Sequence, residues 1–220
     1  MLQVLTSDDG SPTIFNPEIH ETYHSKFGAR SESEHVFIRN GLETILPKPN
    51  GCNILEIGFG SGLNALLTWQ AAEKHLASIQ YYSSEPFPVP VDLARQYARS
   101  AHFTATEQWY LMQLHQAPFG HPIKLSPYFS IHKIAAGIEN YRSGLRFPLI
   151  YFDAFSPDKA PDLWTREIFQ KLYHMCAPKG ILVTYCAKGS VKRQLKATGF
   201  IVEALNGALG KREMTRAIKS

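Results

Sequence analysis

The chain is poor in cysteine and has no long apolar run, no internal repeat and no low-complexity tract. Its three cysteines, Cys52, Cys176 and Cys186, are an odd set without CxxC spacing. That argues against a thiolate zinc site and against a disulfide framework, and it predicts a reducing, cytoplasmic setting. No uninterrupted apolar stretch approaches the roughly 18 residues that a spanning helix needs, so no membrane segment is expected. The opening MLQVLTSDDGSP lacks the basic and apolar regions of a secretory leader.

What is present suits a globular protein. The composition is 44% hydrophobic over 220 residues, enough for one domain with a real core and a small appendage. Net charge is +4, a mild excess compatible with a polyanionic partner. The excess is uneven. From Lys188 onward, Lys188, Lys192, Arg193, Lys196, Lys211, Arg212, Arg216 and Lys219 face only Glu203 and Glu213. This predicts the positive face on the C-terminal quarter.

The pattern changes at ILPKPNG (45–51), where two prolines and a glycine stop the preceding helix. The boundary separates an N-terminal extension, 1–47, from a main domain, 48–220. In the extension, SPTIFN reads as a short strand. SESEHVFIRNGLETIL reads as an amphipathic helix capped by Ser31 or Ser33, with Val36, Phe37, Leu42, Ile45 and Leu46 near one face. Beyond the boundary, strands alternate with helices. CNILEIGF, SIQYYSSE, YFSIHKI, FPLIYFDAF and GILVTYCA read as strands. GLNALLTWQAAEKHL, VPVDLARQYARSA, ATEQWYLMQLHQ, DLWTREIFQKLYHMC and GSVKRQLKATG read as helices, and FIVEAL and EMTRAIK close the chain as successive strands. The expected fold is α/β: a Rossmann-like, mostly parallel twisted sheet with an antiparallel edge, the shape of class I methyltransferases. Ligands of such sheets bind at the carboxyl ends of the strands, so the loops after 53–57, 79–85 and 148–153 matter most.

The first loop, LEIGFGSGLN (55–64), is a G-x-G-x-G turn between a strand and a helix. Its glycines permit positive φ and close approach of a ligand to the backbone. A dinucleotide fingerprint wants a further glycine where this chain has Leu63, and Glu56 would oppose a pyrophosphate. A cofactor bearing a sulfonium and an ammonium would instead be attracted by Glu56. In the second loop, Glu85 sits where a carboxylate accepts hydrogen bonds from ribose hydroxyls. In the third, DAFSPDKAPDLW, Asp153 stands at the strand end as an acceptor for an amine substrate. Phe155 would wall the site, Pro157 and Pro161 would stiffen the lip, and Lys159 would reach a phosphate. Asp162 is expected to cap the following helix, which frees Asp153.

Other constellations count for less. HETYH satisfies HExxH through His20, Glu21 and His24, but Pro17 and Gly28 leave little helix for a zincin, and no metal is expected. Tyr81, Tyr82, Trp109, Tyr110 and Trp164 read as packing residues.

LEIGFGSGLN, DAFSPDKAPDLW and GKREM, together with the opening block DGSPTIFNPEIHETYHSKFGARSESEHVFI, cover nearly the whole chain. In this order they resemble the methyltransferase family of wobble-uridine modification in tRNA. That family forms 5-methylaminomethyl-2-thiouridine from its 5-aminomethyl precursor. The Asp-Ala-Phe-Ser-Pro stretch with its following Pro-x-x-Trp is specific; the glycine loop is shared by many methyltransferases.

The resemblance implies S-adenosylmethionine as cofactor, held by Tyr23, Glu34, Glu56, Gly58, Phe59, Gly60, Gly62, Asn64, Glu85 and Asp153, with the extension folded over it. It makes Asp153 the catalytic residue and the tRNA anticodon loop the partner. Phe155, Lys159, Lys211 and Arg212 would lie on the substrate side, the last two against the tRNA backbone. The family's bifunctional members carry an FAD-dependent oxidase domain; this chain ends at Ser220, so the resemblance implies a stand-alone, flavin-free methyltransferase, and a monomer is the expectation. One departure is FSIHKIAAGIEN, with His132 and Lys133 where many members carry an acid toward adenine; backbone groups are expected to take over. A polyamine-synthase-like aminopropyltransferase, or another small-molecule N-methyltransferase, would use the same sheet without tRNA.

Overall fold

The computed structural model describes residues 1–46 and 51–220. The boundary expected at 45–51 therefore lies largely outside the described residues. The extension opens with a small antiparallel sheet, β1 (Gln3–Thr6), β2 (Pro12–Asn16) and β3 (Glu21–Thr22), in that spatial order. Only β2 had a sequence pattern long enough to see. Next comes α1 (Ala29–Ser33), which runs into a π-helical segment at Glu34–Arg39 and a 3-10 turn at Leu42–Thr44.

α1 starts ahead of the expected Ser31 or Ser33 cap, and the reason is tertiary. Its first N–H groups meet side chains from the preceding sheet. Ala29 donates to Ser7 Oγ (3.2 Å), Arg30 to Ser11 Oγ (3.0 Å) and Ser31 to Asp9 Oδ2 (3.0 Å). These distant acceptors replace a local cap. Burial pushes the Asp9 carboxyl up, but hydrogen bonds from Ser11 and Ser31 outweigh it and hold the group well below the usual range.

The main domain alternates as its sequence suggests. In chain order come β4 (Cys52–Ile57), α2 (Leu63–His75), β5 (Ile79–Ser84), α3 (Val91–Ala98), α4 (Ala105–Gln116), β6 (Ile123–Lys124), β7 (Phe129–Ile134) and β8 (Phe147–Phe152). Then follow α5 (Arg166–Met175), β9 (Cys176–Thr184), α6 (Gly189–Ala197), β10 (Phe200–Asn206) and β11 (Glu213–Lys219). Among the described residues the sheet order is β10-β11-β9-β8-β4-β5-β7-β6. The central strands β9, β8, β4, β5 and β7 are parallel, and β11 lies antiparallel to both β9 and β10. The short β6 adds an antiparallel strand on the other edge, which the sequence pattern did not reveal. The chain moves from β4 out to β7 and returns to β8 on the far side of β4, so the switch point lies between β4 and β8. α5 begins after a 3-10 turn at Pro161–Trp164, and its N-cap is Thr165, whose side chain accepts from Ile168 N (3.4 Å); the expected cap at Asp162 is corrected. No helix among the described residues is long and apolar enough to cross a membrane.

Both sheet faces are covered, so the strands read as near-continuous apolar runs. Alternation sends Ile54, Leu149 and Tyr151 to one core, and Leu55, Ile57, Ile150 and Phe152 to the other. Trp69 of α2 lies between Tyr110 of α4 (3.9 Å, stacked) and Phe129 of β7 (5.4 Å). Tyr81 and Trp164 are core, whereas Trp109 is 52% exposed. Phe37, fully buried, packs 5.2 Å from the Tyr151 ring and joins the extension to β8.

Phe37→Ala tests that joint. It is expected to lower the unfolding free energy by about 3–5 kcal/mol in a urea titration. The transition should stay single, because extension and sheet share one core.

Candidate active site

A cavity of about 1000 Å³ opens over the carboxyl ends of β4, β5 and β8. The extension contributes Tyr23 and His24, the first loop Gly58, Phe59 and Gly60, the second Glu85 and Phe87, and the third Asp153, Phe155 and Lys159. Of the site residues expected from the sequence, Tyr23, Gly58, Phe59, Gly60, Glu85, Asp153, Phe155 and Lys159 thus meet around one space.

The glycine turn is shaped by its neighbours. Gly58 (φ +91°) and Gly60 (φ +52°) lie in the left-handed region. A Cβ on Gly58 would come 2.6 Å from the Asp153 carbonyl oxygen, and one on Gly60 2.9 Å from the Tyr23 ring. Conformation and space both exclude a side chain at these two positions. Gly62 caps α2 and lies off the cavity lining.

Glu85 braces this turn. Its Oε2 accepts from Gly60 N (3.0 Å) and its Oε1 from Phe87 N (2.8 Å). Burial nevertheless pushes its pKa up. Tyr23 is pushed up to about 12, mainly by burial and further by Glu85, so it stays a protonated donor.

Asp153 sits deeper. Its Oδ2 accepts from Asn64 Nδ2 (2.7 Å), which explains how Asn64 belongs to the site without lining the cavity. His24 Nδ1 lies 3.9 Å from the same oxygen, and its Nε2 pairs with Ser61 Oγ (2.9 Å). Burial pushes Asp153 up to about 8 and His24 down to about 4. Each is therefore driven toward its neutral form. His24 was visible in the sequence only as part of HETYH. That stretch forms no zincin helix: β3 takes Glu21, which accepts from Ser156 N (3.1 Å) and Oγ (2.9 Å), while His24 turns into the cavity. Among the described residues no group of three His, Cys, Asp or Glu is placed to hold a metal ion.

Several other residues stand elsewhere than the sequence suggested. Glu56 does not line the cavity. Alternation along β4 turns it onto the face of Ile54, where it is fully buried, with Oε2 accepting from Ser83 Oγ (2.8 Å). Its Oε1 and the neighbouring Asn64 Oδ1 have no hydrogen-bond partner among the described residues, and burial pushes its pKa up to about 8. Glu34 pairs with Arg30 (3.0 Å) and Arg39 (3.9 Å), away from the cavity. Lys211 is not free for a nucleic acid. It pairs with Glu32 and lies 4.3 Å over the Tyr185 ring, while Arg212 is exposed. Half of the cations expected on the C-terminal positive face are paired: besides Lys211, Lys188, Lys192 and Arg216 pair with Asp158, Glu213 and Glu203. Neither His132 nor Lys133 lines the cavity; Lys133 is buried and donates to the His115 carbonyl (2.7 Å).

The third loop is held from behind. Trp164 Nε1 donates to Phe155 O (2.8 Å) and Tyr185 Oη to Ala154 O (2.8 Å). Tyr23 and Phe155 meet edge to face at 5.2 Å across the cavity rim.

Known proteins share this architecture. The chain is 31% identical over 228 residues to the tRNA 5-methylaminomethyl-2-thiouridine biosynthesis bifunctional protein MnmC of Burkholderia mallei (strain SAVP1), covering 94% of this chain and 34% of that protein. It thus spans about a third of the length of the curated relatives it matches. The crystal structure of MnmC2 from Aquifex aeolicus superimposes with a TM-score of 0.77 at 25% identity, over 99% of this chain and 70% of that one. Spermidine synthase from Thermotoga maritima, with a TM-score of 0.56 at 15% identity over 99% and 72%, shares the fold alone. A family model described as S-adenosyl-L-methionine-dependent methyltransferase matches residues 101–220, more than half of the chain. The doubly wound sheet is that of a class I methyltransferase, and the chain belongs to the S-adenosyl-L-methionine-dependent methyltransferase family.

Proposed function

We propose that this chain transfers a methyl group from S-adenosylmethionine to the amine of 5-aminomethyl-(2-thio)uridine at the wobble position of tRNA. The product would be 5-methylaminomethyl-2-thiouridine. The names of its relatives support the substrate, and one observation carries the chemistry. Asp153 lines the cavity with one carboxylate oxygen fixed by Asn64, and no protein donor among the described residues meets the other. An aminopropyl transfer is not favoured, because the polyamine-synthase likeness is one of fold only.

The residues present fit the cofactor. Gly58 and Gly60 line the cavity without side chains, in a turn that Asp153 and Tyr23 pack against, and Glu85 is oriented by two amides, with acceptor capacity left for ribose hydroxyls. Behind them lie two carboxyls that a cation would ionise, the fully buried Glu56 and Asp153, whose side chain is 7% exposed. S-adenosylmethionine supplies, when bound, a methyl group activated by a sulfonium. The chain's own residues then act on the amine. An ammonium has no lone pair, so Asp153 takes its proton on the free carboxylate oxygen; burial makes this carboxyl a stronger base than a solvated one. Asn64 fixes the direction of that carboxylate. Neutral His24 stands beside it as a polar neighbour without adding positive charge. Tyr23 and Phe155 close the rim and restrict water. Lys159, on the same rim, is placed to meet a phosphate.

Asp153→Asn is expected to keep the fold and lower kcat by about 10²-fold or more in a methyl-transfer assay on tRNA carrying the aminomethyl base. A turnover equal to the parent's would remove the role assigned to Asp153.

pH should govern cofactor affinity in a fixed direction. Asp153 and Glu56 hold protons up to about 8 in the free protein, and a cationic ligand favours their ionised forms. S-adenosylmethionine should therefore bind more tightly as pH rises from 6 to 8, with proton release, and level off above. Calorimetry in two buffers of different ionisation enthalpy checks both signs.

The substrate itself is tested by mass spectrometry of tRNA nucleosides from cells lacking this protein. Accumulated 5-aminomethyl-2-thiouridine is the expected result; an unchanged methylaminomethyl level would sink the substrate assignment.

A further inference from the structure

A second concavity, of about 620 Å³, gathers cations outside the cavity. Arg142 and Arg146 reach it from the loop before β8, and Arg166, Lys171 and His174 from α5. Arg166 and His174 are two i,i+4 steps apart on the helix, so they share a face. Glu167 also lines the groove. Among the described residues, none of Arg142, Arg146, Arg166 and Lys171 makes a salt bridge. In the C-terminal quarter, by contrast, Lys188, Lys192, Lys211 and Arg216 are paired, and the exposed Arg193, Lys196 and Arg212 line neither the groove nor the cavity.

The groove also crowds like charges. Arg142 and Lys171 both donate to the carbonyl of Glu139, at 2.8 and 3.0 Å, and Lys171 donates to Ile138 O as well (2.5 Å). Burial and then the nearby Arg142 lower the Lys171 pKa. Concentrated positive charge in a concave surface attracts an anion, and guanidinium forks match phosphate oxygens in pairs. The position is suggestive too. Gly137, Ile138 and Glu139 line the catalytic cavity, while Arg142 and Lys171 grip the same loop from the groove side. Groove and cavity are the two sides of one loop.

We infer that this groove binds the phosphate backbone of the tRNA, and so delivers the flanking nucleotide to the cavity. The inference rests on the tRNA substrate proposed above. It moves the electrostatic footprint from the hairpin at 210–214 to the loop 142–146 and α5. Backbone contacts of this kind fix register and orientation, and the base is read elsewhere.

The test compares three proteins by fluorescence anisotropy with labelled, unmodified tRNA between 50 and 200 mM salt, values chosen to expose counterion release. They are the parent chain, the triple variant Arg142→Ala, Arg146→Ala and Arg166→Ala, and a charge-matched control, Arg193→Ala, Lys196→Ala and Arg212→Ala, in which all three targets are exposed. The groove variant should bind about tenfold or more weakly, and its log–log salt slope should fall by about 2–3. The control should keep most of the parent's slope. The far-ultraviolet circular dichroism spectrum, measured alongside, should be the same in all three and so reports an intact fold. If the parent binds tRNA and the groove variant keeps its slope, or if the control loses as much, the groove assignment is overturned and the substrate proposal stands. If the parent takes up S-adenosylmethionine but shows no salt-dependent tRNA binding, the substrate proposal falls and the groove with it.

Discussion

The site depends on keeping carboxyl groups out of water at the carboxyl edge of the sheet. Alternation along β4, β5 and β8 places Glu56, Ser83, Glu85 and Asp153 along the same face, which is otherwise a hydrophobic core. Asn64 and Ser83 each supply a single hydrogen bond to this row, too little to offset the desolvation of two charges. Asp153 and Glu56 are therefore neutral in the ligand-free protein at pH values where both would ionise in the unfolded chain. Between about 4 and 8 the folded state binds more protons than the unfolded state, so these two groups reduce stability as pH rises through that window. A cationic ligand reverses the penalty. The polar row thus costs stability when empty and favours binding when filled, a common relation between active sites and folds.

The extension contributes to the cavity wall and is tied to the loops around it. Asp9 and its serines seat α1, Glu21 holds Ser156 of the third loop, and Tyr23 meets both Gly60 and Phe155. Lys211 completes the frame from the opposite end of the chain. Its partner Glu32 is buried and accepts at its other oxygen from Ser25 N (2.9 Å), which leads straight to His24. Removing the Lys211 ammonium would leave that carboxylate buried without its cation, and breaking a buried pair is far more damaging than losing a surface one. Lys211 therefore belongs to the architecture of the cavity. Within GKREM, Lys211 and Glu213 hold partners inside the protein, Glu32 and Lys192.

The parts of this design legible in the sequence were local ones. The apolar runs of β4 and β8, the glycine turn and the boundaries of α4 follow from periodicity and from caps such as Thr104, whose box with Glu107 lies within four residues. The illegible parts depend on partners far along the chain. α1 begins where residues 7–11 reach it, so no local cap marks it. Glu56 was recognisable as an acid before a glycine turn, but its side depends on the strand's phase and lies one layer below the cavity. Counting charges from Lys188 onward found a real excess in the sequence. It could not show that the acids Glu32 and Asp158, from other segments, would cancel part of it.

The groove was hidden for the same reason. Arg146 and Arg166 are separated in sequence by β8 and the third loop, and only the return of α5 along the sheet brings them together. Their placement bears on how a cavity of this size discriminates. A pocket of about 1000 Å³ lined by several acids would admit many primary amines. A methyl donor that reacted with all of them would be wasted on free amines. If the substrate is tRNA, as proposed, binding energy drawn from a remote polyanion would solve this, because it is available only to an amine attached to the right chain. Phosphate contacts in the groove would need no knowledge of the base. They would raise the effective concentration of one amine at Asp153, with the loop 137–142, held by Arg142 and Lys171, joining the two places.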